Sequence, residues 1–291
     1  MISVLIPAYN YDVSALVQQV YAQLQDANIA FEIIVCDDAS TTGVLQDAFL
    51  ASYPKLRYLR NDTNLGRTLT RKKLAETARY NNLLFLDADV IPVSNDFITA
   101  YLPYADKDMA VFGGYAYKKD IDVQGKELRV KFGRKREEIP ADVRNHKPYS
   151  VVFSGNFLIS KALFNENNYP ADDNFYGMDL YFGYSLYKNH VKVLHIDNPI
   201  YHLGLESNEV FFRKSMEAVE NRKALLQNYP EIAETNGMLK QYTRLKKWKL
   251  KVIAAFGFQI FAPLMKKMIF AKNPNLLVFD LYRLGYLCSL D

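Results

Sequence analysis

Three short, mostly apolar runs each end in a polar or acidic cluster, and this repeated pattern limits the fold more than any other feature. SVLIPAY stops at Asn10, FEIIVC at Asp37-Asp38, and the LLFL of NLLFLDADV at Asp87-Ala88-Asp89. Runs this short and this apolar read as strands buried on both faces, which belong in a parallel sheet with helices on either side. The intervening segments have the matching helical spacing. Val13, Leu16, Val17, Val20 and Leu24 mark one helix, and 44–53 and 68–80 predict two more, with a short strand over 56–59. Right-handed crossovers bring the C-terminal ends of parallel strands to one edge, where open α/β sheets bind ligands. Pro7-Ala8-Tyr9-Asn10, Asp37-Asp38-Ala39-Ser40 and Asp87-Ala88-Asp89 are therefore expected to share one crevice.

Beyond residue 100 the pattern loosens. A strand is predicted over 109–117, and VVFSGNFLIS reads as a strand region broken at Ser154-Gly155-Asn156. Residues 118–147, with KFGRKREE at their centre, are dense in charge and read as a long loop of the kind that often forms a lid. A helix is predicted over 176–187 behind Asp172-Asp173-Asn174, then a strand at VKVLHI leading to Asp197 and His202, then an amphipathic helix over 209–229.

The acidic pair Asp87 and Asp89 sits one residue apart, so both carboxylates can point the same way. Hard oxygen ligands in this arrangement suit Mg²⁺ or Mn²⁺, ions that share their sites with substrate phosphates. The competing reading is a turn cap with a solvated neighbour, and the position beside two other strand-end clusters favours the metal. Asp37 and Asp38 can accept hydrogen bonds from a base or ribose, or cap the helix that follows. His202, just past a strand, is a candidate metal ligand; His195, inside that strand, reads as structural, and His146 and His190 as loop and surface residues. Asp179 opens a helix behind Gly177 and is either a general base or a carboxylate favoured by the helix dipole. Arg67, Arg71, Lys72 and Lys73 could meet phosphate charge or form a solvated basic face.

Taken together, SVLIPAYN, EIIVCDDAST, NLGRTLTRKK, LLFLDADV, FSGNFLIS and GMDLYFGYSL resemble the family-2 glycosyltransferases, in the order that family shows them and over roughly residues 1–205. The resemblance implies a glycosyltransferase A-type fold and inverting transfer from a nucleoside-diphosphate sugar, with a uridine-linked donor expected. It implies that Pro7, Ala8 and Tyr9 pack the nucleotide base, that Asp38, with Asp37 beside it, meets the uracil, and that Arg71, Asp87 and Ala88 lie near the donor. It implies Asp89 and His202 as ligands of a divalent cation and Asp179 as the catalytic base. Two positions depart from the family pattern: Met178 stands where a Glu usually precedes the base, and Thr70-Arg71-Lys72 where Ala-Arg-Asn is usual. Two rival readings of the same residues exist. A sugar nucleotidyltransferase would need a Gly-rich loop where PAYNYD stands. A non-catalytic module on the same fold is favoured only by Met178.

Net charge divides the chain. Residues 1–239 carry 26 basic and 30 acidic groups, whereas 240–291 carry ten basic and two acidic. No Asp or Glu occurs from Thr235 to Phe279. The expected organisation is a catalytic domain over 1–235 and a helical basic extension over 236–291. Its apolar run, 252–265, is shorter than the roughly 20 residues of a bilayer span. It is therefore read as a segment lying on a membrane surface, or else packed on the domain or in a homo-oligomer; aliphatic interleaving speaks against nucleic acid. Two isolated cysteines and an N-terminus without signal-peptide character predict a cytoplasmic protein, or one on the inner face of the cell membrane; the tail together with the family resemblance implies a glycan or lipid-linked acceptor.

Overall fold

β1 (Ile2–Ala8) is buried along its whole length. Its alternating side chains feed two separate cores. Val4 and Ile6 join Leu16, Val17 and Val20 of α1 (Ser14–Asp26), whereas Leu5 joins Leu74 and Ala75 of α3 (Gly66–Thr77) on the opposite face. Between these two helices run β2 (Phe31–Asp37), the short α2 (Asp47–Ala51) and β3 (Leu56–Arg60). The computed structural model describes residues 1–170 and 177–290.

The central sheet has seven strands in the order β3-β2-β1-β4-β8-β6-β9, with β4 at Asn82–Leu86, β6 at Met109–Phe112, β8 at Asn156–Ser160 and β9 at Lys192–His195. Every neighbouring pair is parallel except the two made by β8. This is the mixed α/β architecture that the apolar runs predicted. A three-stranded sheet sits beside it, in the order β5 (Val90–Pro92), β10 (Ile200–His202), β7 (Tyr115–Ala116).

The single strand expected over 109–117 is thus two strands in two sheets. The chain passes between them at Gly113-Gly114. A Cβ at Gly113 would overlap Asn156 and the Asn198 carbonyl, and Gly114 has φ +91°. The helix expected over 44–53 shrinks to α2, because the Val44 carbonyl is taken by Val13 N–H and the preceding Thr41 and Thr42 are held by the Asn10 side chain.

The charged stretch 118–147 is not a long loop. It forms α4 (Glu127–Phe132), a π-helical turn (Gly133–Glu137) and α5 (Ala141–Asn145). Leu128 packs with Ile269 and Phe279, and Val130 with Tyr117 and Leu205. Two of the stretch's charges, Arg129 and Arg144, are buried with remote partners, while Lys118, Lys119, Lys135, Glu138 and Lys147 stay exposed. Arg144 is 2% exposed and donates to the Ile139 and Ile196 carbonyls and to His195 Nδ1, which makes His195 the structural residue expected.

α6 (Lys161–Asn167) follows β8 directly, and α7 (Asp179–Lys188) starts three residues later than predicted. Tyr176 and Asp172-Asp173-Asn174 lie outside the described residues. α8 (Asn208–Asn228) leads to α9 (Gly237–Lys247), α10 (Lys251–Ile269) and α11 (Leu276–Ser289). These last helices share apolar clusters with the body: Leu287 and Cys288 pack with Met178, Tyr184 and Val219, and Phe279 with Leu128.

Candidate active site

β4 ends at Leu86 and delivers Asp87 to the sheet edge. Asp87 Oδ1 accepts from Arg71 Nη2 at 2.5 Å, and Oδ2 faces Arg67 Nη1 at 3.4 Å and the Tyr115 hydroxyl at 3.5 Å. Arg71 also donates from Nη1 to Ser154 Oγ at 2.7 Å and is itself buried. It therefore braces Asp87 from behind and does not itself line the cleft. Of these two α3 arginines it is Arg67, one helical turn earlier, that lines the cleft. Gly155 is needed for this packing, because a Cβ there would overlap the Asp87 carboxylate and the Tyr115 hydroxyl.

Asp89 and His202 are 113 positions apart and meet through strand register. His202 pairs with Val90 across β10 and β5, and Leu203 N–H donates to the Asp89 carbonyl at 2.8 Å. This brings His202 Nε2 to 3.3 Å from Asp89 Oδ2. Gly204 completes the fit, since a Cβ there would overlap Asp89 Oδ2. Burial works to raise the Asp89 carboxyl, but the hydrogen bond and charge of His202 bring it below the usual carboxylate range. On its other side, His202 Nδ1 lies 3.4 Å from Arg129 Nη2. A guanidinium only donates, so this contact is a hydrogen bond only in the neutral tautomer that carries its proton on Nε2.

Asp179 opens α7 just after Gly177, whose φ of +93° turns the chain. Its carboxylate lies 3.0 Å from Arg67 Nη2 and 3.8 Å from Arg71 Nη1, and is about one-third exposed. Burial again opposes ionisation, and the charges of Arg67 and Arg71 outweigh it, holding the carboxyl below its ordinary value. Arg67 thus touches both Asp87 and Asp179. The neighbouring Met178 points elsewhere: it is 6% exposed, in an apolar cluster with Tyr169, Tyr184 and Val219.

Pro7, Tyr9, Asp87, Ala88, Asp89, Asp179 and His202 all line one cleft of about 520 Å³. Ala8, Asp37 and Asp38 do not. Ala8 is 2% exposed in the core, and its carbonyl accepts Asp38 N–H. Asp37 is wholly internal, its oxygens taken by Ser40 N–H, the Tyr58 hydroxyl and Arg60. It offers nothing to a nucleotide, because its partners satisfy it inside the fold. Asp38 is 4% exposed; Oδ1 accepts from Asn61 and Leu65 N–H, and Oδ2 from Gly66 N–H, which ties the start of α3 to the end of β2. One lone pair of Oδ2 is left without a protein donor among these bonds.

Sequence reasoning passed over Tyr11, Tyr115, Arg129, Glu137 and Phe153, which also line the cleft. The aromatic residues gave no signal against a chain rich in Tyr and Phe, and Arg129 and Glu137 were hidden in the stretch read as a loop. A second hollow of about 270 Å³ adjoins the first and runs toward Arg222 and Arg283. Arg67, Glu137, Phe153, Asp179 and Phe211 line both.

Asp89 and His202 suit a divalent cation by donor type and by convergence. Among the described residues no three His, Cys, Asp or Glu side chains form a closed metal site. Two protein ligands are enough for an ion that keeps waters and shares substrate phosphates. Ligation through His202 Nε2 requires the ring proton on Nδ1, the nitrogen that Arg129 faces; Arg129 keeps the Tyr117 hydroxyl and Glu137 as its other partners, each at 3.0 Å.

The family model for glycosyl transferase family 2 matches residues 3–167. An uncharacterized glycosyltransferase of Haemophilus influenzae is 35% identical over 91 residues, a stretch that spans 31% of this chain and 29% of that protein. Among solved structures, the mannosyltransferase PcManGT from Pyrobaculum calidifontis, in complex with GDP-Man and Mn²⁺, is 14% identical with a TM-score of 0.62, covering 98% of this chain and 85% of that one. TarS 1–349 of S. aureus in complex with UDP-GlcNAc is 15% identical with a TM-score of 0.51, covering 98% and 90%. The longer TarS chain is covered over only 39% of its length. At these identities the likeness establishes the fold.

Proposed function

The chain belongs to glycosyl transferase family 2, and on that premise we propose that it transfers a sugar with inversion from a nucleoside-diphosphate donor to a hydroxyl of a glycan or glycolipid. The observation that carries this reading is the position of Asp179 on the wall common to both hollows. A general base for inverting transfer must stand where the acceptor meets the donor, on the side opposite the leaving group.

In this reading the larger cleft takes the donor. Pro7, Tyr9 and Tyr11 offer a surface for the base, and Arg67 faces its diphosphate. Asp38, buried and outside the cleft lining, selects no base, so the uridine-linked donor rests on the family resemblance. Asp89 and His202 would hold the divalent cation, Mg²⁺ or Mn²⁺. When bound, that ion supplies Lewis-acid neutralisation of the leaving diphosphate.

The acceptor enters through the smaller hollow. Asp179, ionised at neutral pH because Arg67 and Arg71 favour its charge, accepts the proton of the attacking hydroxyl. The new bond forms from that oxygen to the anomeric carbon while the bond from that carbon to the diphosphate breaks. Arg67 bridges Asp87 and Asp179 in the structure. An incoming diphosphate competes for its guanidinium, which frees the base as the donor seats. Arg71 stays in place and keeps Asp87 oriented.

The test is a panel of uridine- and guanosine-linked hexose and N-acetylhexosamine donors, assayed for metal-dependent hydrolysis and for transfer, with Asp89→Ala and Asp179→Asn in parallel. Release of nucleoside diphosphate from one donor, lost in Asp89→Ala and in chelator, is expected. Turnover of a nucleoside triphosphate plus a sugar phosphate, with silence on every nucleotide sugar, would overturn it in favour of a nucleotidyltransferase.

A further inference from the structure

α10 is apolar on both of its sides, and only one side is covered. Ala254, Ala255, Phe258, Ala262, Met265 and Ile269 face the protein, where Phe258 packs against Tyr282 and closely over Gly285. The opposite face is a stripe at every fourth position: Val252, Phe256, Ile260, Leu264 and Met268. These five are 39% to 75% exposed. A helix that is apolar all round is stable only when something covers all of it. Here the outer face is open in the single chain.

Charge identifies what covers it. Lys246, Lys247 and Lys249, all exposed, precede the stripe, and Lys266 and Lys267 close it. Trp248, 65% exposed, stands at the same end as the first group. If a second copy of the chain covered the stripe, its lysines would meet lysines in either relative orientation. No acidic residue between Thr235 and Phe279 could neutralise them. An anionic surface neutralises both ends at once and accepts the apolar stripe between them.

We propose that α10 docks the enzyme on an anionic lipid surface, lying in the interfacial plane with the stripe in the acyl boundary and the lysines among the head groups. By length and composition the helix Lys251–Ile269 is long and apolar enough to cross a membrane, longer than the 14-residue apolar run suggested. Its inner side is nevertheless occupied by protein, including the fully buried Ile269. Spanning would require stripping that side from α11, whereas lying flat uses the face already open.

The experiment is co-sedimentation of the full chain with phosphatidylcholine vesicles, with and without phosphatidylglycerol, at low and high salt. Binding to the anionic vesicles alone, weakened by salt, is expected. Replacing Lys246, Lys247 and Lys249 with Gln should lower the partition coefficient by about a hundredfold, at roughly fivefold per lysine. Phe256→Glu with Ile260→Glu should abolish binding while leaving the thermal midpoint and nucleotide-sugar hydrolysis unchanged, since both side chains face outward. Hydrolysis in solution separates this proposal from the transferase reading, because it needs no membrane. Failure of the wild-type chain to bind anionic vesicles at low salt would overturn the docking proposal. So would binding that the glutamate pair does not disturb, or a dimer in vesicle-free buffer that the same pair dissociates.

Discussion

The sheet edge and helix α10 solve opposite problems. At the edge, Asp87, Asp89 and Asp179 are gathered close together, and the protein compensates their charge internally: Arg71 and Arg67 hold two of them and His202 the third. Along α10 the protein leaves apolar surface without compensation and surrounds it with lysine. Charge at the edge is costly to disturb where its partner is buried, as Arg71 is, and less so at the half-exposed Arg67. Apolar surface on α10 is cheap to change because nothing in the chain rests on it. Substitutions in the two regions should therefore differ in kind.

The largest effect is expected from Asp179→Asn, which keeps the shape of the side chain and removes its basicity. Transfer should fall about 10²- to 10⁴-fold, the usual contribution of a positioned base, with the thermal midpoint little changed. Single-turnover rates at saturating donor check it. Next is the contrast of the two arginines. Arg71→Met should cost about 3–5 kcal/mol of stability, the penalty for breaking a buried ion pair from one side. Arg67→Met, at a half-exposed position, should cost about 0–1 kcal/mol but raise the KM for the donor. Denaturant titrations and donor kinetics on both variants separate brace from binder, and equal destabilisation would break the comparison.

A smaller effect concerns acid. Glu32, Asp37, Asp89 and Asp179 all sit below the ordinary carboxylate range. For each, burial pushes upward and is outweighed by hydrogen bonds or by nearby cations. A carboxyl whose value is depressed in the folded state contributes stability above its unfolded value, near pH 4, and loses it as the pH falls through the depressed one. The thermal midpoint should stay level from neutral pH down to about 5 and then decline. In Asp179→Asn, Asp89→Asn the decline should be shallower. The smallest effect is Ile260→Ser, expected to change stability by no more than about 0.5 kcal/mol. A loss of several kcal/mol there would mean that the stripe is covered within the chain after all.

Much of the site was legible along the chain. Asp87, Ala88 and Asp89 follow a strand too apolar to be anything but buried, and that fixed their position at the sheet edge. Asp37 looked the same in sequence and proved different. The residue that lines the cleft and the residue that is satisfied internally share a motif, and only Tyr58 and Arg60, placed alongside by β3, separate them. Arg71 and Arg67 show the same limit, since one turn of α3 decides which is buried.

Local sequence determined the strands, most of the helices, the acidic clusters and the contrast between an acidic body and a basic tail, because apolar period and charge are properties of neighbouring residues. Tertiary structure alone decided that His202 stands beside Asp89, that Met178 turns into the core, that 118–147 folds as helices against the cleft, and which side of α10 is left open. Each of these depends on partners from another element, tens to more than a hundred residues away, or on strand register. In both cases the deciding energy lies in a contact that no local window of the chain contains.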